Sequence, residues 1–222
     1  MDVSGRVGGD ARPTIAKLIG IALRDGWKIP ALLAAFESVP ALFGLELGTT
    51  PGLTIALLLA LAPPLIFHGA GIKSRAGVLP FLISGAVVII SVVFPLILIL
   101  SVVQTYDESE MATLALLLFI PTNVFQATLI ALASKPILAR YLGHSVAMPK
   151  TWVLKVVGLT AILALLLSVI AMFILVLILT VPLQDRVAEA LAASIGSIPA
   201  GFAISFAFVA MARFEAPLWS NR

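Results

Sequence analysis

Apolar residues in this chain run in six long stretches separated by short polar gaps. The stretches cover residues 29–47, 51–67, 77–103, 111–134, 152–182 and 187–211. A bilayer core of about 30 Å needs roughly 20 apolar residues per helix, so the pattern predicts six transmembrane helices. The first two are short and are joined by Gly48-Thr-Thr-Pro51-Gly52, a tight-turn signal. They read either as two full crossings or as a re-entrant hairpin, and both return the chain to the same side. The third and fifth exceed the bilayer thickness, which calls for tilt or protrusion.

Ahead of the first stretch, the period changes. Within residues 13–28, Ile15, Leu18, Ile19, Ala22 and Leu23 recur at helical spacing, with Lys17, Arg24, Asp25 and Lys28 on other faces. The spacing predicts an amphipathic helix lying on the membrane, with Trp27 at the head-group level. The alternative is a cytoplasmic extension of the first span, since Pro30 only partly separates the two. The predicted fold is all-α: a polytopic membrane bundle of six spans behind an interfacial helix. Residues 1–28 form the N-terminal segment, 29–211 one transmembrane domain and 212–222 a cytoplasmic tail.

Charge supplies an orientation. Thirteen of the 14 Lys and Arg residues fall in alternate gaps: five before the first stretch, then Lys73 and Arg75, then Lys135, Arg140, Lys150 and Lys155, then Arg213 and Arg222. Arg186 alone lies on the other side, and Tyr106-Asp107-Glu108-Ser109-Glu110 is the expected outside loop. Cytoplasmic loops carry this excess of basic residues. Both termini are therefore expected in the cytoplasm, at a membrane of bacterial inner-membrane type. All three Trp residues (Trp27, Trp152, Trp219) fall at the expected cytoplasmic interface, where an aromatic belt would place them.

Composition narrows the class. The chain is 61% hydrophobic and 11% charged, whereas soluble domains carry roughly a quarter charged residues. It has no cysteine, which excludes disulfides, iron–sulfur clusters and thiolate zinc sites. The basic balance suits anionic lipid head groups, and no nucleic-acid partner is expected. The first fourteen residues hold no apolar core for a signal peptide, so the first span is expected to insert uncleaved.

Few residues carry candidate chemistry. Glu37 is the one ionisable side chain in the middle of a predicted span, with Ser38 beside it and Pro40 one turn on. Such residues mark proton or cation sites; the plainer reading is a neutral, hydrogen-bonded Glu inside the bundle. Asn123 and Gln126 stand one helical turn apart after Pro121 and Thr122. With Glu37 they define a possible polar path, or they lock spans one and four by interhelical hydrogen bonds. His68 and His144, the only histidines, lie outside the spans and read as structural or solvated. No haem or metal site is expected from them, and no cofactor of any kind.

Ala193, Ser197, Gly201 and Ser205 form a small-residue stripe at four-residue spacing in span six. Small residues allow close helix approach in lipid, so the stripe predicts a packing interface with a helix of this chain or another. Leu at Gly201 is expected to cost more than Leu at Ala210. Gly44 and Gly48 form a lone GxxxG pair. Ser38-Val-Pro40-Ala-Leu-Phe43 and Ser197-Ile-Pro199-Ala-Gly-Phe202 share a pattern that fits neither an inverted nor a tandem repeat, and chance in so biased a sequence accounts for it. No nucleotide-binding loop, zinc-ligand pair or nucleophile elbow is present.

Ile21-Ala-Leu-Arg-Asp-Gly-Trp27-Lys-Ile-Pro30 leads into a span, and Gly143-His-Ser-Val-Ala-Met-Pro-Lys-Thr-Trp152 leads into a long one; the last helix closes on Met211-Ala-Arg213. This layout resembles the six-helix membrane domain found beside some bacterial glycerophosphodiester phosphodiesterases. The resemblance covers the membrane part and not the phosphodiesterase domain, so it implies a fold and no activity. The function expected is that of a non-catalytic scaffold, assembly or accessory subunit, acting through lipids and other membrane subunits. The alternative is a small transporter or channel using Glu37, Asn123 and Gln126.

Overall fold

The computed structural model describes residues 12–43, 50–68, 77–103 and 111–219. Among these the fold is all-α, with seven α-helices and no strand: α1 Ile15–Arg24, α2 Lys28–Leu42, α3 Thr50–Phe67, α4 Val78–Val103, α5 Met111–Leu142, α6 Lys150–Leu179 and α7 Asp185–Met211. Two 3₁₀ turns follow, Ala212–Phe214 and Ala216–Leu218. Residues 1–11, residues 44–49 with Gly44 and Gly48, Lys73 and Arg75, the expected acidic loop 106–110 and Arg222 lie outside the described residues; of the expected turn at Gly48–Gly52, Thr50, Pro51 and Gly52 instead open helix α3.

Helix α1 starts where Thr14 accepts a hydrogen bond from the Lys17 N–H through its hydroxyl, 3.4 Å, satisfying one orphan donor of the first turn. It is a separate helix and not an extension of α2. Leu18, Ile21 and Ala22 are buried on one face, and Ile15 and Leu23 remain exposed. The expected apolar stripe is thus wider than the face that docks. Arg24 pairs with Asp25 at 3.1 Å, which holds its guanidinium above even its high ordinary pKa. The chain turns at Gly26, whose backbone sits so close to α7 that a Cβ there would lie 2.7 Å from the Ser205 Cβ.

Helix α2 tolerates Pro30 because a first-turn residue needs no intrahelical N–H bond. Pro40 withholds the next donor and the helix stops two residues later, at 15 residues. That length is about 22 Å, below the thickness of a bilayer core. Six crossings were expected; three described helices are long and apolar enough to cross, within Val78–Leu98, Lys150–Ile178 and Asp185–Phe214. Gly52–Phe67 is apolar but shorter.

Helix α7 forms the centre. Two thirds (67%) of its apolar window is buried, against 22% for α6 and 11% for α4. It packs on α1, α2, α3, α5 and α6, and α2 is its most extensive neighbour. Between Ala203 and Ala212 every residue is buried. Helix α4 is peripheral and is held to α5 partly by Phe94 stacked on Phe125, ring centres 4.0 Å apart.

The end of α7 is finished by side chains. Its last carbonyls have no intrahelical donors. The Trp152 indole N–H donates to the Ala210 carbonyl at 2.9 Å, and Trp219 donates to Ala212 at 2.8 Å. Arg213 lies over the Trp152 ring, 4.4 Å from its centre. Trp152 is 5% exposed and Trp27 is 54% exposed. Only Trp27 therefore presents its ring outward as a belt residue would; Trp152 and Trp219 act as helix caps.

Candidate functional site

The sequence-predicted polar residues divide between two interfaces. Glu37 sits on α2 facing α3, where Thr54 hydrogen-bonds its carboxyl. Thr54 is buried, and the other carboxyl oxygen, Oε1, is buried without a hydrogen-bond partner. Ser38 turns back on its own helix, donating to the Ala35 carbonyl at 3.4 Å.

Asn123 lies on α5 facing α6. Its amide nitrogen donates to the Phe119 carbonyl at 2.8 Å, and its oxygen accepts from Ser168 Oγ at 2.9 Å. The bond joins α5 to α6, the fourth and fifth apolar stretches, where a lock between the first and fourth was expected. Ser168, 45 residues away and 5% exposed, was missed by sequence reading. The available signal was a lone hydroxyl in an otherwise apolar run. Gln126 lies one turn below, and with Asn123, Ala164 and Pro199 it borders a void of about 10 Å³ between α5, α6 and α7. A water needs about that much room. Glu37 is not among the residues lining this void, so the three polar side chains do not share one cavity.

The small-residue stripe meets a partner in its own chain. Gly201 lies against Pro30, and a Cβ on it would stand 2.7 Å from the Pro30 Cβ. Ser205 is fully buried and donates to the Gly26 carbonyl at 2.7 Å. Ala193 and Ser197, nearer the start of α7, are only half-buried, and Ser197 bonds the Ser194 carbonyl of its own helix. Gly196 has open space where a Cβ would be. Close approach is therefore confined to the half of the stripe that faces the α1–α2 junction.

The histidines lie at the ends of helices. His68 is exposed after α3. His144 follows α5 and meets Glu215 at 3.0 Å, tying the α5–α6 loop to the segment after α7. A second cavity, of about 100 Å³, opens between the end of α3, the start of α4 and the end of α5. Tyr141 forms part of its wall, and burial pushes the phenol pKa above its ordinary value, so the phenol is neutral.

Comparison with known protein families, curated proteins and solved structures gives no match for this chain.

Proposed function

We propose that this chain is a non-catalytic integral membrane subunit: a scaffold, assembly or accessory component of a larger membrane complex. In this reading six helices cross a bacterial inner membrane with both termini cytoplasmic, and α1 lies at that interface. The observation that carries the reading is the contrast between α7 and the outer helices. The centre of the bundle is filled by α7, whose Ser197 and Ser205 hydroxyls donate to the Ser194 and Gly26 carbonyls. Meanwhile α4 and α6 leave most of their apolar surface facing outward. An outward apolar face of this kind suits lipid and neighbouring helices equally.

The membrane-domain layout noted in the sequence is compatible with such a role and assigns no chemistry. The test is gentle extraction of the tagged full chain from its native membrane, followed by identification of what accompanies it. Recovery with a defined set of other membrane subunits is expected. Recovery as an isolated chain at native expression level would overturn the proposal.

A second reading has one specific observation in its favour, the unpartnered Oε1 of Glu37 beside Thr54. If Glu37 carries a proton or cation, Glu37→Gln abolishes activity while the protein still assembles. In the scaffold reading Glu37→Gln leaves assembly and complex function nearly intact, and Glu37→Leu weakens assembly.

A further inference from the structure

Where α3 ends, α4 begins and α5 leaves the bundle, the three helices do not close on one another. The cavity between them is walled by Pro63, Pro64, Pro80, Phe81, Ile137 and Tyr141. Its lining is mainly apolar, and among the described residues no Asp or Glu contributes to it. On one side it continues onto exposed apolar surface: Phe81 is half-exposed, and Leu57, Leu61 and Leu82 extend the same surface along α3 and α4.

On the other side stands a cation. The Arg140 guanidinium lies across Gly77 at the rim, so close that a Cβ on Gly77 would be 3.0 Å from Nη2. Arg140 is exposed, and among the described residues no carboxylate pairs with it. The first turn of α4 starts at the same rim, at Val78. Its leading N–H groups have no intrahelical acceptors and favour an anion.

An apolar slot open to the lateral surface, with one unpaired cation and a helix start at its interfacial end, matches an amphiphile with one anionic end. We propose that this slot binds one anionic phospholipid, its phosphate against Arg140 and the first part of an acyl chain between Phe81 and the Pro63–Pro64 turn. The proposal rests on the membrane reading above. Basic pockets between helices on the cytoplasmic side suit anionic head groups. A zwitterionic lipid offers the same phosphate, but its ammonium finds no acidic partner among the described residues of the lining.

The full chain is reconstituted in vesicles of phosphatidylcholine and phosphatidylglycerol in equal amounts. It is then re-extracted in mild detergent, and the retained lipid is identified by native mass spectrometry. One phosphatidylglycerol is expected to be retained preferentially. Arg140→Gln should cut that preference about fivefold, the worth of one interfacial cation. Lys150→Gln, on the same side at the start of α6, should leave it unchanged. Ala60→Phe, which fills the slot from α3, should remove the retained lipid; should that variant misfold, the exposed Arg140 decides alone.

Equal retention of both lipids, or a preference indifferent to Arg140→Gln, overturns the site. Displacement of the lipid by inorganic phosphate would make it a free-anion site and overturn the lipid assignment. An alkaline carbonate wash of native membranes separates the two levels. A chain that resists the wash yet shows no lipid preference refutes the site alone, whereas a chain released by the wash refutes the membrane reading beneath it.

Discussion

Replacing Gly201 tests the packing argument most directly. A Cβ at this position would stand 2.7 Å from the Pro30 Cβ and 2.9 Å from its nitrogen, whereas ordinary contact starts near 3.4 Å. The Pro30 Cα stands closer still, so the helices must part by more than about 0.7 Å (from 2.7 to 3.4 Å at the Cβ alone) to admit one methyl group. Pro30 cannot swing aside, because its ring is closed on the backbone. Overpacking of a tight contact costs about 1–3 kcal/mol. Removing a mid-helix glycine returns up to about 1 kcal/mol. Gly201→Ala should therefore lose about 1 kcal/mol net, and Gly201→Leu about 3 kcal/mol. Ala210, the reference suggested by sequence, is 1% exposed and carries the carbonyl that Trp152 caps, so it is no neutral control. Gly196, with open space around it, is. Gly196→Ala should be neutral or slightly stabilising. The assay is unfolding of the purified chain in mixed micelles as the denaturing detergent fraction rises. If Gly201→Ala and Gly196→Ala shift the midpoint alike, the close approach of α2 to α7 does not hold the bundle together.

Three further outcomes are expected. Single cysteines at Ser74, Ser109, Ser145 and Ser220 of this Cys-free chain should divide by side, with only Ser109→Cys reacting with an impermeant thiol reagent added outside; labelling of Ser74→Cys from outside would break the six-span reading. A double-mutant cycle of Asn123→Leu and Ser168→Ala should give a coupling of about 1 kcal/mol, the usual worth of an interhelical hydrogen bond in lipid, and zero coupling would show that α5 and α6 do not share it. Trp152→Phe keeps a ring but leaves the Ala210 carbonyl without its indole donor, so detergent unfolding should show a loss of about 1–3 kcal/mol; an unchanged midpoint would refute the capping role.

The positions of the helices were legible because apolar runs and their interruptions are the strongest signal a chain of this composition carries. Which side of each helix faces inward was far less so. In water, apolar residues point to the core; here lipid is as apolar as the interior. Ile15 and Leu18 are alike to a sequence reader, yet Leu18 is buried and Ile15 exposed. Residue size carries the information that polarity does not: Gly201 and Ser205 stand out by their smallness, and they sit where α7 closely approaches Pro30 and Gly26. Gly26, the other half of the Ser205 contact, falls inside the expected 13–28 helix although Asp25-Gly26 is a break signal. The polar candidates failed differently. Asn123 and Gln126 were recognised as interior, but an amide does not announce its partner, and the hydroxyl that meets Asn123 comes from α6.

The central place of α7 has a consequence for biogenesis. The Ser205 hydroxyl reaches a carbonyl 179 positions earlier in the chain. At about 5–20 residues per second of synthesis, the α1–α2 junction waits roughly 10–35 s for the helix it packs against. During that interval the helices already made lack the element that most of them pack on, and Gly26 and Pro30 present a vacant seat. Products interrupted before α7 would carry six helices and no hub. Under the membrane reading proposed above, a chain truncated before α7 is expected to be degraded faster than the full chain, which pulse-chase labelling of the two would show.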